Sequence, residues 1–322
     1  MPTISVVIPA YNAELTILDT IKSVQKQTFS DIEVIVINDG STDRTVEILQ
    51  SIQDERLKFF SYENSRASGA RNHGISHATG EFISFLDADD LWTPDKLELQ
   101  ITALEEHPEA GVAYSWTYTI NERGEQLYPI EPLYSGNVYA DLLLRNFLAS
   151  GSNPLIRKEA IESVGKFDPT LKSGEDWDYW LRLASKWPFV VVPRHQIFYR
   201  RSSTSKSYKL QVIREAGLIV LEKSLKRAGP ELQYLRNQCL SNIYQYNVQL
   251  YLESINNNIN NNSSVDINYV MENLLQAIRL YPKNLLTKST QKLIIKFLLA
   301  LILSPSLMSH LIGFARKTHQ TK

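Results

Sequence analysis

Asp87-Ala88-Asp89-Asp90 places three carboxylates within four residues, directly after the apolar run Phe82 to Leu86. Like charges this close repel unless a cation neutralises them. A hard divalent ion such as Mg2+ or Mn2+ suits the task, because it prefers carboxylate, phosphate and water oxygens. Mg2+ takes one or two protein carboxylates and leaves other positions to substrate phosphates. Asp87 and Asp89 therefore read as half of a metal–phosphate site, with a solvated acidic turn as the competing reading. Two more polar clusters end apolar runs: Pro9-Ala10-Tyr11-Asn12 after Ile4 to Ile8, and Asn38-Asp39-Gly40 after Ile32 to Ile37. Singly, each has a structural explanation: Asp-Gly is good turn chemistry, Tyr11 can pack, and Arg71 can be a surface cation. Asp176, in Ser173-Gly174-Glu175-Asp176-Trp177, opens an amphipathic pattern. It either complements a helix dipole or acts as a general base toward a substrate hydroxyl. Trp177 offers an apolar stacking face or, by its helical spacing, a core contact.

The elements that must position these residues alternate. The three apolar runs are β-branched or aromatic and near-continuous, as strands covered on both faces are. Leu57 to Phe60 is a weaker fourth. Leu15, Leu18, Ile21 and Val24 recur at spacing three and mark one helical face. Val46, Ile48 and Leu49 fit a second helix and Ala67 to Ala78 a third. A fourth has Thr93 as N-cap, Pro94 at its first position, and Leu97, Ile101 and Leu104 on one side. Strands alternating with helices imply an α/β domain with a mainly parallel sheet. Ligands of such sheets bind beyond the carboxyl ends of the strands, which sets the three polar clusters along one rim. Beyond residue 110, Val112 to Tyr118 alternates as a strand, Asn121 to Gly124 as a turn, Glu175 to Lys186 as a helix, and Phe189 to Val192 and Ile197 to Tyr199 as two short strands.

Composition bounds the function. The 322 residues suggest two domains, are 43% hydrophobic and 21% charged, and carry a net charge of −1. That is ordinary globular protein, with no basic stripe for nucleic acid. The one cysteine, Cys239, forms no intrachain disulfide and fits a reducing compartment. No leader precedes the first strand, so a cytoplasmic location is expected.

The ordered set Ser5 to Asn12, Val36 to Asp43, Gly69-Ala70-Arg71-Asn72, Leu86 to Asp90 and Gly174 to Trp177 resembles family 2 glycosyltransferases across residues 1 to about 205. The resemblance implies a GT-A fold, with a nucleotide-sugar-binding half at 1–110 and an acceptor-binding half at 111–205. It also implies an inverting reaction that uses a nucleotide-diphosphate sugar, uridine being the nucleoside the family often employs. Pro9, Tyr11, Asp39 and Arg71 would contact the nucleoside. Asp87 and Asp89 match the D-x-D that holds Mn2+ or Mg2+, Asp89 most directly, and Asp176 matches the base. Glu175, Trp177 and Trp92 are candidate acceptor contacts. Many members place a histidine two residues after the arginine of a Tyr-Arg pair. Here Tyr199-Arg200-Arg201-Ser202 puts serine there, with Arg200 or Arg201 left to meet phosphate oxygens. The expected acceptor is a hydroxyl of a glycan or of a lipid-linked acceptor.

Residues 206–322 read as a helical extension, with helices over 210–228, 232–252 and 269–280. Asn256 to Ser264 is a low-complexity loop. Gln276 to Pro282 looks like the end of a tetratricopeptide-type helix, and a plain helical appendage is the alternative. Leu293 to Leu303 is too short to span a bilayer, but with Lys292, Lys296, Arg316 and Lys317 it suits peripheral membrane contact through 290–317. Two other classes stay in view. A Rossmann oxidoreductase is disfavoured because no G-x-G-x-x-G follows the first strand. A non-catalytic scaffold is disfavoured by the joint presence of Asp39, Asp87, Asp89 and Asp176.

Overall fold

The computed structural model describes residues 2–201, 210–257 and 267–302. The chain divides into two compact units, Met1–Ser202 and Ser203–Lys322. The boundary residues Ser202 to Ser205 and most of the asparagine-rich stretch, 258–264, lie outside the described residues.

The first unit is built on one nine-stranded sheet. β1 (Ile4–Ala10), β2 (Ile32–Asp39), β3 (Leu57–Tyr62) and β4 (Phe82–Phe85) run parallel in the order β3-β2-β1-β4. α1 (Ile17–Gln25), α2 (Thr45–Ser51) and α3 (Arg66–His77) connect them, and α4 (Lys96–Glu106) follows. Every residue of β2 and β4 is buried, which explains why their runs do not alternate. On one face Val6, Ile8, Val34 and Val36 join Ile17, Ile21 and Val24 of α1 and Leu97, Ile101 and Leu104 of α4 in a single core. Each such aliphatic side chain contributes about 1.5–3 kcal/mol when fully buried. α3 packs against β1 and β2.

Beyond β4 the sheet becomes mixed. β5 (Leu91–Trp92), β6 (Val112–Ile120), β7 (Gln126–Ile130), β8 (Leu155–Arg157) and β9 (Phe189–Arg200) complete it. β8 lies antiparallel to both β4 and β6, β9 lies parallel to β6, and β5 and β7 add antiparallel to β9 and β6. α5 (Tyr139–Leu144), α6 (Lys158–Val164) and α7 (Glu175–Ala184) pack in this half. The sheet is therefore parallel where the first polar clusters sit and mixed beyond β4. This is a GT-A arrangement.

Three local expectations need correction. Leu15 and Leu18 do not share a face with Ile21 and Val24: they are 89% and 40% exposed, and the buried set is Ile17, Ile21 and Val24. A strict spacing of three walks about 60° around the helix at each step, whereas four and three alternate on one side. The fourth helix starts at Lys96 rather than Pro94, because Leu91–Trp92 first pairs with β9. The two strands expected over 189–199 are one, since Pro193 and Arg194 form an exposed bulge where the β6 register shifts. β7, α5, β8 and α6 were not visible in the sequence; three residues of β8 are too few to show a period.

The loop before β8 is tied down by Asn153, which is 1% exposed. Its Oδ1 accepts from Ser115 N at 2.8 Å. Its Nδ2 donates to Ser115 O, Thr117 Oγ1 and Leu148 O at 2.8, 3.1 and 3.2 Å.

The second unit is helical: α8 (Leu210–Ala228), α9 (Arg236–Asn257), α10 (Ile267–Leu280) and α11 (Lys288–Ile302), with 3-10 turns at Pro230–Leu235 and Pro282–Leu286. The helix expected from Leu232 thus starts four residues later, after a turn opened by Pro230. Val248, Tyr251 and Leu252 of α9 meet Val270 and Leu274 of α10 and Leu293 and Phe297 of α11 in its core.

Asn153→Ala leaves the buried N–H and C=O of Ser115 without their side-chain partners, and should lower the stability of the first unit by about 2–4 kcal/mol. Urea unfolding followed by tryptophan fluorescence measures it.

Candidate active site

The rim begins where β1 and β2 end. Asn12 adopts a left-handed conformation, φ +47°. From there its Oδ1 accepts from Thr42 N at 2.8 Å, and its own N–H donates to Ser41 Oγ at 3.0 Å. Ala13 N donates to Thr45 Oγ1 at 2.8 Å. These bonds lock the two strand ends together and leave the ring of Tyr11 54% exposed. Pro9 is half-buried beside it. Asp39 is buried, and its Oδ1 accepts from Ser65 N and Ser65 Oγ, both at 2.8 Å. The carboxylate is held by one oxygen and keeps Oδ2 for another donor.

After β4 the acidic turn separates into three roles. Asp90 is fully buried, and accepts from Ser150 Oγ at 2.9 Å, Ser152 Oγ at 2.6 Å and Arg200 N at 2.8 Å. Burial, then the charges of Asp89 and Asp87, push its pKa up, against the hydrogen bonds. Ser152 Oγ also accepts from Asp87 N at 2.9 Å. Thr20 Oγ1 bonds Ala88 O and Asp90 O at 3.0 and 2.9 Å. Asp90 is thus the pin that shapes the loop.

Asp89 is the opposite case. Burial and then Asp87 raise its pKa to about 6, and only its own backbone N–H and the charge of Arg200 oppose this. It is the under-neutralised carboxylate of the set. Arg200 itself is anchored: Nε donates to Asp89 O at 2.8 Å and Nη1 to Glu122 O at 2.9 Å. Arg201 Nη1 donates to Tyr128 OH at 2.9 Å. Ser202 lies outside the described residues.

Asp87 Oδ1 pairs with Arg71 Nη2 at 2.5 Å, and Arg71 Nη1 reaches Glu175 Oε1 at 3.4 Å. Arg71 is buried, only 4% exposed, so the structure sets it between carboxylates instead of as an outward nucleoside contact. Gly151 makes the room: a Cβ there would stand 2.6 Å from Arg71 Nη2 and 3.4 Å from Asp87 Oδ2.

The second half brings Asp176. Gly174, at φ +69°, turns the chain into α7 and sets Glu175 and Asp176 in its first turn. Asp176 Oδ1 accepts from Trp177 N at 2.7 Å, and Oδ2 from Asn146 Nδ2 at 3.4 Å. Its pKa is pushed up to about 6, first by burial and then by Glu175; Arg71 pulls it down, and Asp87 adds to the rise. Trp177 is half-buried with Nε1 bonded to Leu142 O at 2.7 Å. Trp92 is corrected from an acceptor contact to a core residue: it is 4% exposed, its Nε1 donates to Ser152 O at 2.8 Å, and Lys96 Nζ lies 3.7 Å from its ring centre. Burial holds the Lys96 amine well below its usual pKa.

Among the described residues no three His, Cys, Asp or Glu side chains converge as a complete metal site. The donor set fits a divalent ion whose remaining ligands are phosphate oxygens: the under-neutralised Asp89, and Asp87 with one oxygen held by Arg71. Sequence reasoning missed Ser150, Gly151, Ser152, Asn146 and Ser65. The run Ser150-Gly151-Ser152-Asn153 between apolar residues was the available signal, since small polar residues before a strand mark a loop.

Asp90→Ala removes the acceptor of three buried donors and should cost about 2–3 kcal/mol. A thermal midpoint equal to the parent's would show that these bonds do not hold the loop.

The profile of the family described as "Glycosyl transferase family 2" matches residues 5–165. A glycosyltransferase of Rickettsia conorii, RC0461, is 36% identical over 187 residues, which are 57% of this chain and 30% of that protein. The Escherichia coli UDP-Glc:alpha-D-GlcNAc-diphosphoundecaprenol beta-1,3-glucosyltransferase WfgD is 43% identical over 102 residues, 31% of this chain and 40% of its own. The chain therefore spans well under half the length of these relatives. Among solved structures, the mannosyltransferase PcManGT of Pyrobaculum calidifontis, in complex with GDP-Man and Mn2+, superposes with a TM-score of 0.56 at 16% identity, covering 93% of this chain and 87% of that one. Matched over half its length by the family's profile, and carrying the GT-A fold that those residues build, the chain belongs to glycosyl transferase family 2.

Proposed function

We propose that this protein is an inverting glycosyltransferase that moves a sugar from a nucleotide-diphosphate donor, UDP-linked, to a hydroxyl of a glycan or lipid-linked acceptor. The observation that carries the reading is geometric: two half-buried carboxylates, Asp89 and Asp176, whose neighbours Asp87 and Glu175 are both bonded to the buried Arg71. One is suited to a cation and the other to a proton. The donor of WfgD and its diphosphate-lipid acceptor support the choice of nucleotide and acceptor, and the Mn2+ of PcManGT supports the metal.

In this reading Tyr11 lies against the nucleobase, Pro9 borders it, and Asp39 Oδ2 accepts from the base edge. Mn2+ or Mg2+ held by Asp89 and Asp87 would supply Lewis-acid neutralisation of the diphosphate. Arg71 positions Asp87 and tempers the charge around Asp176, while Arg201 meets phosphate oxygens as Arg200 fixes the strand that carries it. Glu175 and Trp177 border the acceptor. Asp176 takes the proton of the acceptor hydroxyl, whose oxygen attacks the anomeric carbon. The bond to the diphosphate breaks on the opposite face, and the leaving oxygen keeps the electron pair. No enzyme nucleophile intervenes, so the configuration inverts. A base near 6 is still ionised at pH 7, yet takes a proton more readily than an ordinary carboxylate. We place this work on the cytoplasmic side, in keeping with the single, buried and unpaired Cys239.

A thermal-shift panel of UDP-, GDP- and dTDP-sugars with and without Mn2+ tests the donor. Stabilisation by one nucleotide, dependent on metal, is expected and should vanish in Asp89→Ala. Silence toward every nucleotide sugar would sink the enzymatic reading in favour of a scaffold. Asp176→Asn should lower kcat by about 10²–10⁴ while donor binding persists; near-normal transfer would remove Asp176 as the base. Because the base works ionised and its pKa is raised, kcat/KM should hold above about 6 and fall roughly tenfold per pH unit below it. Glu175, Asp87 and Arg71 are the charged groups that set this midpoint.

A further inference from the structure

α11 is packed on one side only. Leu293 and Phe297 are buried with Val248, Tyr251 and Leu252 of α9. On the other side Lys288, Gln291, Lys292, Ile295, Lys296 and Leu298 are exposed, Ile295 by 55% and Leu298 by 48%. At 100° per residue, Ile295 and Leu298 lie about 60° apart on the helix, and Lys288, Lys292 and Lys296 climb beside them at spacing four. The preceding turn adds exposed Leu285, Leu286 and Lys283, with Leu286 82% exposed.

Both stripes are unfavourable in water. Apolar side chains stand open to solvent, and lysines four apart repel one another. Residues 282–322 contain seven Lys and Arg and no Asp or Glu, although the whole chain has a net charge of −1. The preceding residues therefore carry a net charge of −8, against +7 for this stretch.

A surface that relieves both stripes together is anionic outside and apolar within. We propose that α11 docks this protein on an anionic lipid surface, Ile295 and Leu298 entering the acyl boundary and Lys288, Lys292 and Lys296 meeting headgroup phosphates. The described helix has 15 residues, and no helix among the described residues is long and apolar enough to cross a membrane; the docking proposed has α11 lying in the surface. Residues 303–317, the rest of the stretch singled out in the sequence, lie outside the described residues and are not needed for this docking. It is also independent of the transfer chemistry.

The test is sedimentation of the whole protein with phosphatidylcholine vesicles, alone or with about one third phosphatidylglycerol. Binding to the anionic vesicles, and release as salt is raised, is expected. A Lys288→Gln/Lys292→Gln/Lys296→Gln variant should bind on the order of a hundredfold more weakly, roughly fivefold per lysine. Ile295→Ser/Leu298→Ser should also weaken binding, with an unchanged circular-dichroism melting curve. If either variant melts differently, the salt titration of the parent decides. No sedimentation, salt-insensitive sedimentation, full binding by the glutamine variant, or preference for an acidic protein over the vesicles would each overturn the proposal.

Discussion

The first unit depends on how five acidic side chains, Asp87, Asp89, Asp90, Glu175 and Asp176, are kept near one another. Like charges this close disfavour one another's ionised form. The buried guanidinium of Arg71 offsets this for three of them, bonded to Asp87 and Glu175 and close enough to Asp176 to pull its pKa down. A planar group with five donors can serve two carboxylates at once, where an ammonium would act as a point charge. The remaining imbalance sits on Asp89 and Asp176, both raised to about 6. That residual charge is a property to be used by whatever cation and proton arrive.

Arg71 can do this only because the backbone around it is already placed. Asp90, hydrogen-bonded by Ser150, Ser152 and the Arg200 N–H, joins the turn after β4, the loop before β8 and the end of β9. Gly151, within that loop, leaves the space the guanidinium fills. Asn153 then ties the same loop to β6. The buried polar network is therefore a frame on which half-buried carboxylates are mounted, and each of its bonds matters more for lying out of water.

Much of the fold was legible because the first strands are buried on both faces and made of β-branched residues. Their length and composition show through without any alternation. Helix faces were legible only approximately: Leu15 lies in the turn before α1, Leu18 has the right type but the wrong angle, and both face solvent. The second half was harder. β8 has three residues, β7 is an edge strand with polar and proline positions, and the bulge at Pro193–Arg194 breaks a strand that pairing with β6 restores. Such elements are selected by their partners, and local propensity carries little of that information.

Residue type and order by themselves determined which chemistry the chain could attempt. Carboxylates after apolar strands, an aromatic at the end of β1 and an acid at the start of α7 belong on one rim of an α/β sheet. Tertiary structure decided how that acidity is shared out. Asp87, Asp89 and Asp90 are neighbours of the same type, yet one pairs with Arg71, one is left under-neutralised and one is buried as a pin. Trp92 and Trp177, both open to an acceptor role in the sequence, part likewise into a core residue and a half-buried one. The reason is that burial and hydrogen-bond donors come from residues 16 to 110 positions away, Arg71, Ser152 and Arg200 above all, and spacing along the chain does not encode them.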